Sequence, residues 1–119
     1  MATEHEQVSD VRTYLLDNIS LDPQTSYQGP ADDVRNYRFW GVTATATQTA
    51  NKIKVILEYR FYSVGQWREF DSFYISDVDE AASIDRVYRV TRGEYRARLD
   101  NEDEVSQPFV DLQYIKGGN

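Results

Sequence analysis

The chain has 119 residues, 40% hydrophobic, 13% aromatic and 28% charged; this is one domain's length, able to bury roughly two-thirds of its unfolded surface without staples. Zero cysteines exclude a disulfide framework and every thiolate nucleophile or cysteine-based metal site. Thirteen basic residues against twenty acidic give a net charge of −7, which opposes generic binding to the phosphate backbone of nucleic acid.

Residues 4–19 read as a helix. Thr3-Glu4-His5-Glu6 fits a capping box, with Thr3 at the N-cap and Glu6 reaching back. Val8, Val11, Leu15 and Ile19 then recur at helical spacing. Asp17, Asn18 and Ser20 weaken the helix and Pro23 stops it. The first residues show neither a basic n-region nor an apolar h-region, so no signal peptide is expected. Nor does any stretch approach the ~20 apolar residues of a membrane helix. A soluble chain without a membrane partner is the expectation. Residues 20–36, with Pro23, Gly29, Pro30 and Asp32-Asp33, read as a long loop.

From residue 37 the period changes from 3.6 to 2. Trp40, Val42, Ala44 and Ala46 alternate with Thr43, Thr45, Thr47 and Thr49, a strand with one dry and one polar face. After a turn at Ala50-Asn51, Ile53, Val55, Leu57, Tyr59 and Phe61 face inward from a second strand. Gly65-Gln66 makes another turn, and Trp67 to Ile75 is the third strand. Together these predict an antiparallel meander with two strands longer than the usual ~5–6 residues. In the segment 77–92, Asp77-Val78-Asp79-Glu80 resembles a capping box and Gly93 stands where a C′ residue would. A short helix is expected there, although Arg86/Tyr88/Val90 against Val87/Arg89/Thr91 also tolerates a strand. Residues 94–99 and 109–116 read as a closing hairpin around an acidic loop. The expected fold class is thus α+β in one domain: helix 4–19, loop 20–36, and a sheet core 37–116 of three-stranded meander, short helix and C-terminal β-hairpin.

Catalytic chemistry has little to draw on. His5, the single histidine, lies near the terminus, so Ser-His, Cys-His and histidine–metal arrangements cannot be assembled. The six glycines form no phosphate-cradling loop. Asp77, Asp79 and Glu80, like the 100–104 acids, lack the frame of an EF-hand loop. No catalytic residue, cofactor or metal is expected, and no enzyme.

Charge and aromatic placement point to an interface instead. Residues 1–33 hold seven acids against Arg12 alone. Arg86, Arg89, Arg92, Arg96 and Arg98 against Glu94 make +4, and Asp100, Glu102, Asp103 and Glu104 follow as −4. Tyr37, Arg60, Tyr62 and Trp67 belong to clusters of aromatics interleaved with arginine. Such residues favour protein interfaces. If copies associate, Arg89, Arg92, Arg96 and Arg98 are expected to meet the 100–104 acids of a neighbour.

In element order alone, a leading helix, a meander with long strands, a helix and a closing hairpin with an acidic loop, the chain resembles tail-terminator or tail-completion proteins of long-tailed viruses. The resemblance implies a ring-forming, non-enzymatic protein that caps a tail tube, made in the cytoplasm and carried in the virion. The leading expectation is a self-assembling structural protein, a homo-oligomer without direct nucleic-acid contacts. The alternatives are a small acidic inhibitor that mimics nucleic acid before a basic partner, and a cystatin-like sheet with a small-ligand pocket.

Overall fold

Alternation, which the sequence carries from residue 37 onward, governs almost the whole structure. A computed structural model describes residues 11–46, 53–61, 64–75, 82–90, 93–105 and 107–118, and these form nine strands and no helix. They are β1 (Val11–Ser20), β2 (Ser26–Gln28), β3 (Asp32–Asp33), β4 (Phe39–Ala46), β5 (Ile53–Arg60), β6 (Arg68–Ile75), β7 (Ala82–Arg89), β8 (Glu94–Asn101) and β9 (Phe109–Gly117). All pairings are antiparallel. One sheet has the order β1-β9-β4-β7, the other β2-β8-β5-β6, with β3 also on β8. If β2 and β3 are taken as one interrupted strand, these are the two four-stranded sheets of a jelly roll.

The dry faces of both sheets meet. Trp40, Val42, Ala44 and Ala46 of β4 and Val110, Leu112 and Tyr114 of β9 pack with Ile53, Val55 and Leu57 of β5 and Tyr95, Ala97 and Leu99 of β8. Trp40 is at the centre, its ring centroid 5.4 Å from that of Tyr95 and 5.1 Å from that of Tyr114. Burial of each large apolar side chain here contributes roughly 1.5–3 kcal/mol.

The α+β expectation is overturned. Residues 11–19, placed in the N-terminal helix, belong to β1, which pairs with β9. Val11, Leu15 and Ile19, the supposed buried stripe, are exposed, while Leu16 is buried and Tyr14 packs against the core. The hydrogen-bonding partner of this segment lies about a hundred residues away, and it overrides the local period. A bulge between Leu16 and Ile19 carries Asn18 at φ 53°, its N–H donating to Asp111 Oδ1. The capping residues at 3–6 lie outside the described residues. So do 76–81 and 91–92, but Ala82–Arg89 of the expected second helix form β7, paired along its length with β4. Gly93 is no helix cap. At φ 107° it immediately precedes β8, and a Cβ there would overlap the Arg60 carbonyl oxygen.

The meander and the closing hairpin are also corrected. β5 and β6 pair as expected, but β4 and β5 lie in different sheets, and so do β8 and β9. A two-layer sandwich requires the chain to cross between layers at such points. The described lengths of β4 and β5 are eight residues each, and the turn at 50–51 lies outside the described residues. The loop 20–36 holds β2 and β3, two short edge strands on β8 separated by Gly29-Pro30-Ala31. The cystatin-like alternative, a sheet wrapped on a helix, is overturned with the helices.

Candidate interaction surfaces

Alternation on β8 sends Tyr95, Ala97 and Leu99 inward and Glu94, Arg96, Arg98 and Asp100 outward. The outer face of the β2-β8-β5-β6 sheet gathers these with Glu58 and Arg60 from β5. Arg60 donates from Nε to Glu94 Oε1 at 2.7 Å, and Arg96 from Nε to Glu58 Oε1 at 2.8 Å. Arg98 NH1 lies 3.9 Å from Glu58 Oε2, and its Nε donates to Asp100 Oδ1 at 3.1 Å. Ser26 Oγ donates to that same oxygen. Trp67 lies over the ladder, with the Arg96 guanidinium 4.0 Å and that of Arg60 4.5 Å from its ring centroid. Each such stack contributes ~0.5–1 kcal/mol at an exposed site.

Five of the expected interface residues, Arg60, Trp67, Arg96, Arg98 and Asp100, therefore stand together. Glu58, Glu94 and Ser26 complete the group. The signal for Glu58 was its outward position on a strand already recognised; its partners depended on the unrecognised β5–β8 pairing. Arg60, Arg96 and Arg98 are engaged by Glu58, Glu94 and Asp100 of their own chain. Glu102 flanks the face, accepting a hydrogen bond from the Tyr74 hydroxyl at 2.6 Å. That bond and burial raise the Tyr74 pKa, the bond being the larger cause.

The remaining expected residues are elsewhere. Asp103 organises the β8–β9 loop: its N–H donates to Asn101 Oδ1, its Oδ1 accepts from the Val105 N–H, and its carbonyl accepts from the Gln24 N–H. Glu104 is exposed beside it. Tyr37 approaches β4 and lies under the Lys116 ammonium, 4.7 Å from ring centroid to Nζ. Arg89 sits on the other sheet, opposite Phe39. Tyr62 and Arg92 lie outside the described residues.

A second surface was not expected. On the outer face of the β1-β9-β4-β7 sheet a cross-strand row runs Arg12, Ile115, Gly41, Val87, and the adjacent row runs Gly117, Phe39, Arg89. Phe39, Val87, Ile115, Lys116 and Gly117 line a shallow depression of about 220 Å³. Val87 is 62% exposed. Among the described residues no group of three or more acids, histidines or cysteines is placed to hold a metal ion. Among them, too, no helix is long and apolar enough to cross a membrane.

No family model matches the sequence, and no curated protein matches it. Solved structures do share its fold. The PBSX exported protein XepA superposes with a TM-score of 0.65 and 16% identity over 89% of this chain, which spans 37% of the XepA chain. The CBM22-1 xylan-binding domain from Paenibacillus barcinonensis Xyn10C gives a TM-score of 0.52 and 12% identity, covering 92% of this chain and 86% of that one. The PRD1 vertex protein P5 covers 87% of this chain and 89% of its own at 8% identity, and its TM-score of 0.46 is too low to carry an argument. At such identities the likeness is one of fold, and function has to be argued from the surfaces.

Proposed function

We propose that this chain is a non-enzymatic structural protein that works by associating with other protein chains, copies of itself first among them. The observation that carries this reading is the apolar group of exposed Phe39 and Val87 with half-buried Ile115, on a chain whose residues are 28% charged. A clustered apolar patch on such a surface marks an interaction site more often than a solvated face. The arginine–tryptophan ladder on the opposite sheet adds a second, pre-ordered face of interface chemistry. The finer form of the reading is a virion component, in the tail or at the head–tail connection, made in the cytoplasm. The two-sheet jelly roll, an architecture used by viral capsid domains, supports it. The resemblance to tail-terminator proteins lends nothing further, since its two helices are strands. A nucleic-acid mimic has less support, because Glu58, Glu94 and Asp100 are held by arginines of the same chain.

Native mass spectrometry and sedimentation over a wide concentration range test the proposal. Masses above that of one chain, with rings or tubes visible by electron microscopy, are expected. A strict monomer at every concentration that also fails to join any ring or tube would sink it.

A further inference from the structure

The depression and the acidic loop lie at opposite ends of the sandwich. Gly41 lies cross-strand between two of its lining residues, Val87 and Ile115, and a Cβ there would meet the Arg86 carbonyl oxygen at 3.0 Å, Val87 Cγ2 at 3.1 Å and Ile115 Cγ1 at 3.2 Å. A side chain at this position would crowd both residues, so glycine keeps the space between them open. Lys116 lines the depression, but its ammonium is engaged by Asp32. Described cations near it include Arg12, cross-strand from Ile115 and donating to Gln113 Oε1, and Arg89, cross-strand from Phe39 and two residues from Val87. Arg89 has no ion-pair or hydrogen-bond partner among the described side chains.

At the far end, the loop between β8 and β9 presents Val105, 84% exposed, directly after Glu104. This apolar tip is held in place. Asn101 Nδ2 donates to the carbonyls of Leu21 and Asp22, the Gln24 N–H donates to Asp103, and Gln107 Nε2 donates to Asp22 Oδ1 at 2.6 Å. The Val105 N–H is itself tied to Asp103. A tip already ordered loses little freedom on docking. It also cannot reach the depression of its own chain. Ile115 lies six residues along β9 from Phe109, roughly 20 Å up the strand, and the loop is pinned beyond the start of that strand.

Resting on the self-association reading above, we propose that the occupant of the depression is the Val105 loop of a second copy, so that copies join head to tail. Val105 enters between Phe39, Val87 and Ile115, and Glu104 faces Arg89 and Arg12. Apolar tip meets apolar depression, and acid meets base. Because the two halves of the joint are different surfaces, the contact is heterologous; it closes into a ring or continues as a filament according to the rotation between copies.

Two variants of the full chain, Val105→Asp and Val87→Asp, test the joint by sedimentation and native mass spectrometry, with circular dichroism to confirm folding. Each should weaken association by roughly 10- to 100-fold, the range expected for losing a buried valine contact, and run as a monomer where the parent assembles. Mixed in equal amounts they should form a dimer and stop there, because each supplies the half the other has lost. Variants that keep the parent's mass, or a mixture that stays monomeric, overturn the head-to-tail joint while self-association stands. A parent that never assembles overturns both. Should Val87→Asp fail to fold, Arg89→Glu and Glu104→Arg replace the pair: each alone should weaken assembly, and a chain carrying both should recover it. A double variant no better than either single one would equally refute the joint.

Discussion

Replacing Lys116 by methionine tests the seam where β3 meets the opposite sheet. Asp32 is only 8% exposed, and Lys116 Nζ donates to its Oδ1 at 3.1 Å. Thr13 Oγ1 and Trp40 Nε1 donate to Oδ2, at 2.6 and 3.2 Å. Lys116 also donates to the Asp33 carbonyl at 2.6 Å. One carboxylate thus draws together β1, β3, β4 and β9. Methionine keeps the apolar stem but leaves a buried carboxylate without its cation and the Asp33 carbonyl without this donor. Breaking such a pair from one side costs ~3–5 kcal/mol. With Thr13 and Trp40 still donating, we expect the low end, about 3 kcal/mol, and with a urea m-value of ~1.5–2 kcal/mol/M the midpoint falls by about 1.5–2 M. Adding Asp32→Asn to Lys116→Met removes the orphaned charge and should recover at least half the loss. Urea melts of the parent, both single variants and the double one, at one protein concentration, complete the cycle. A loss below ~1 kcal/mol, as for an exposed pair, or an additive double variant, refutes the reasoning.

Tyr114→Phe should cost ~1–3 kcal/mol, because its hydroxyl accepts from the Ala97 N–H and donates to the Pro30 carbonyl. Gly29→Ala, whose Cβ would overlap that hydroxyl, should cost as much or more alone and less when combined with Tyr114→Phe; additive urea-melt losses would contradict this. Trp67→Phe leaves Trp40, 0% exposed, as the single indole; its emission should be short-wavelength and resist acrylamide, and a quenchable, red-shifted spectrum would contradict the fold. Burial, then the hydrogen bond to Asp71, push the Tyr88 phenol from 10.0 up to about 12. A folded value above the unfolded one means stability held below pH 10 and lost as pH rises toward about 12. Tyr88→Phe should therefore flatten the stability profile over that window, and an unchanged slope in urea midpoints would show the bond to be absent.

Alternation is local, so the inward set of β4 and Ile53, Val55 and Leu57 of β5 match the buried residues, whereas Phe61 is exposed, Ile56 is buried and β7 reads as a helix. What could not be read was which strand pairs with which. Leu15 and Ile19 share a helical stripe in sequence, yet β9 supplies the backbone partners of that segment, and nothing within twenty residues announces it. The same gap explains the site. Arg60, Arg96 and Trp67 were singled out by residue type, but their grouping with Glu58 and Glu94 follows from β8 lying beside β5. The depression was invisible because Phe39, Val87 and Ile115 come from three strands, and only the register of β4 against both neighbours sets them around Gly41. Gly93 shows the converse: its glycine was noticed, but a positive φ serves a strand start as well as a helix end.

The position of β9 bears on how the protein is made. It is the last described strand to leave the ribosome, yet it lies between β1 and β4 and supplies the hydrogen-bonding edge of both. Until residues 109–117 emerge, β1 has no partner in its sheet and β4 keeps one edge bare, with Trp40, Val42 and Ala44 uncovered on that side of the core. Pairing between strands so distant in sequence is slow to form, and bare edges of this kind recruit other chains meanwhile. The nascent protein consequently passes through an interval in which β4 is paired on one side only, with β7, and β1 not at all within its sheet.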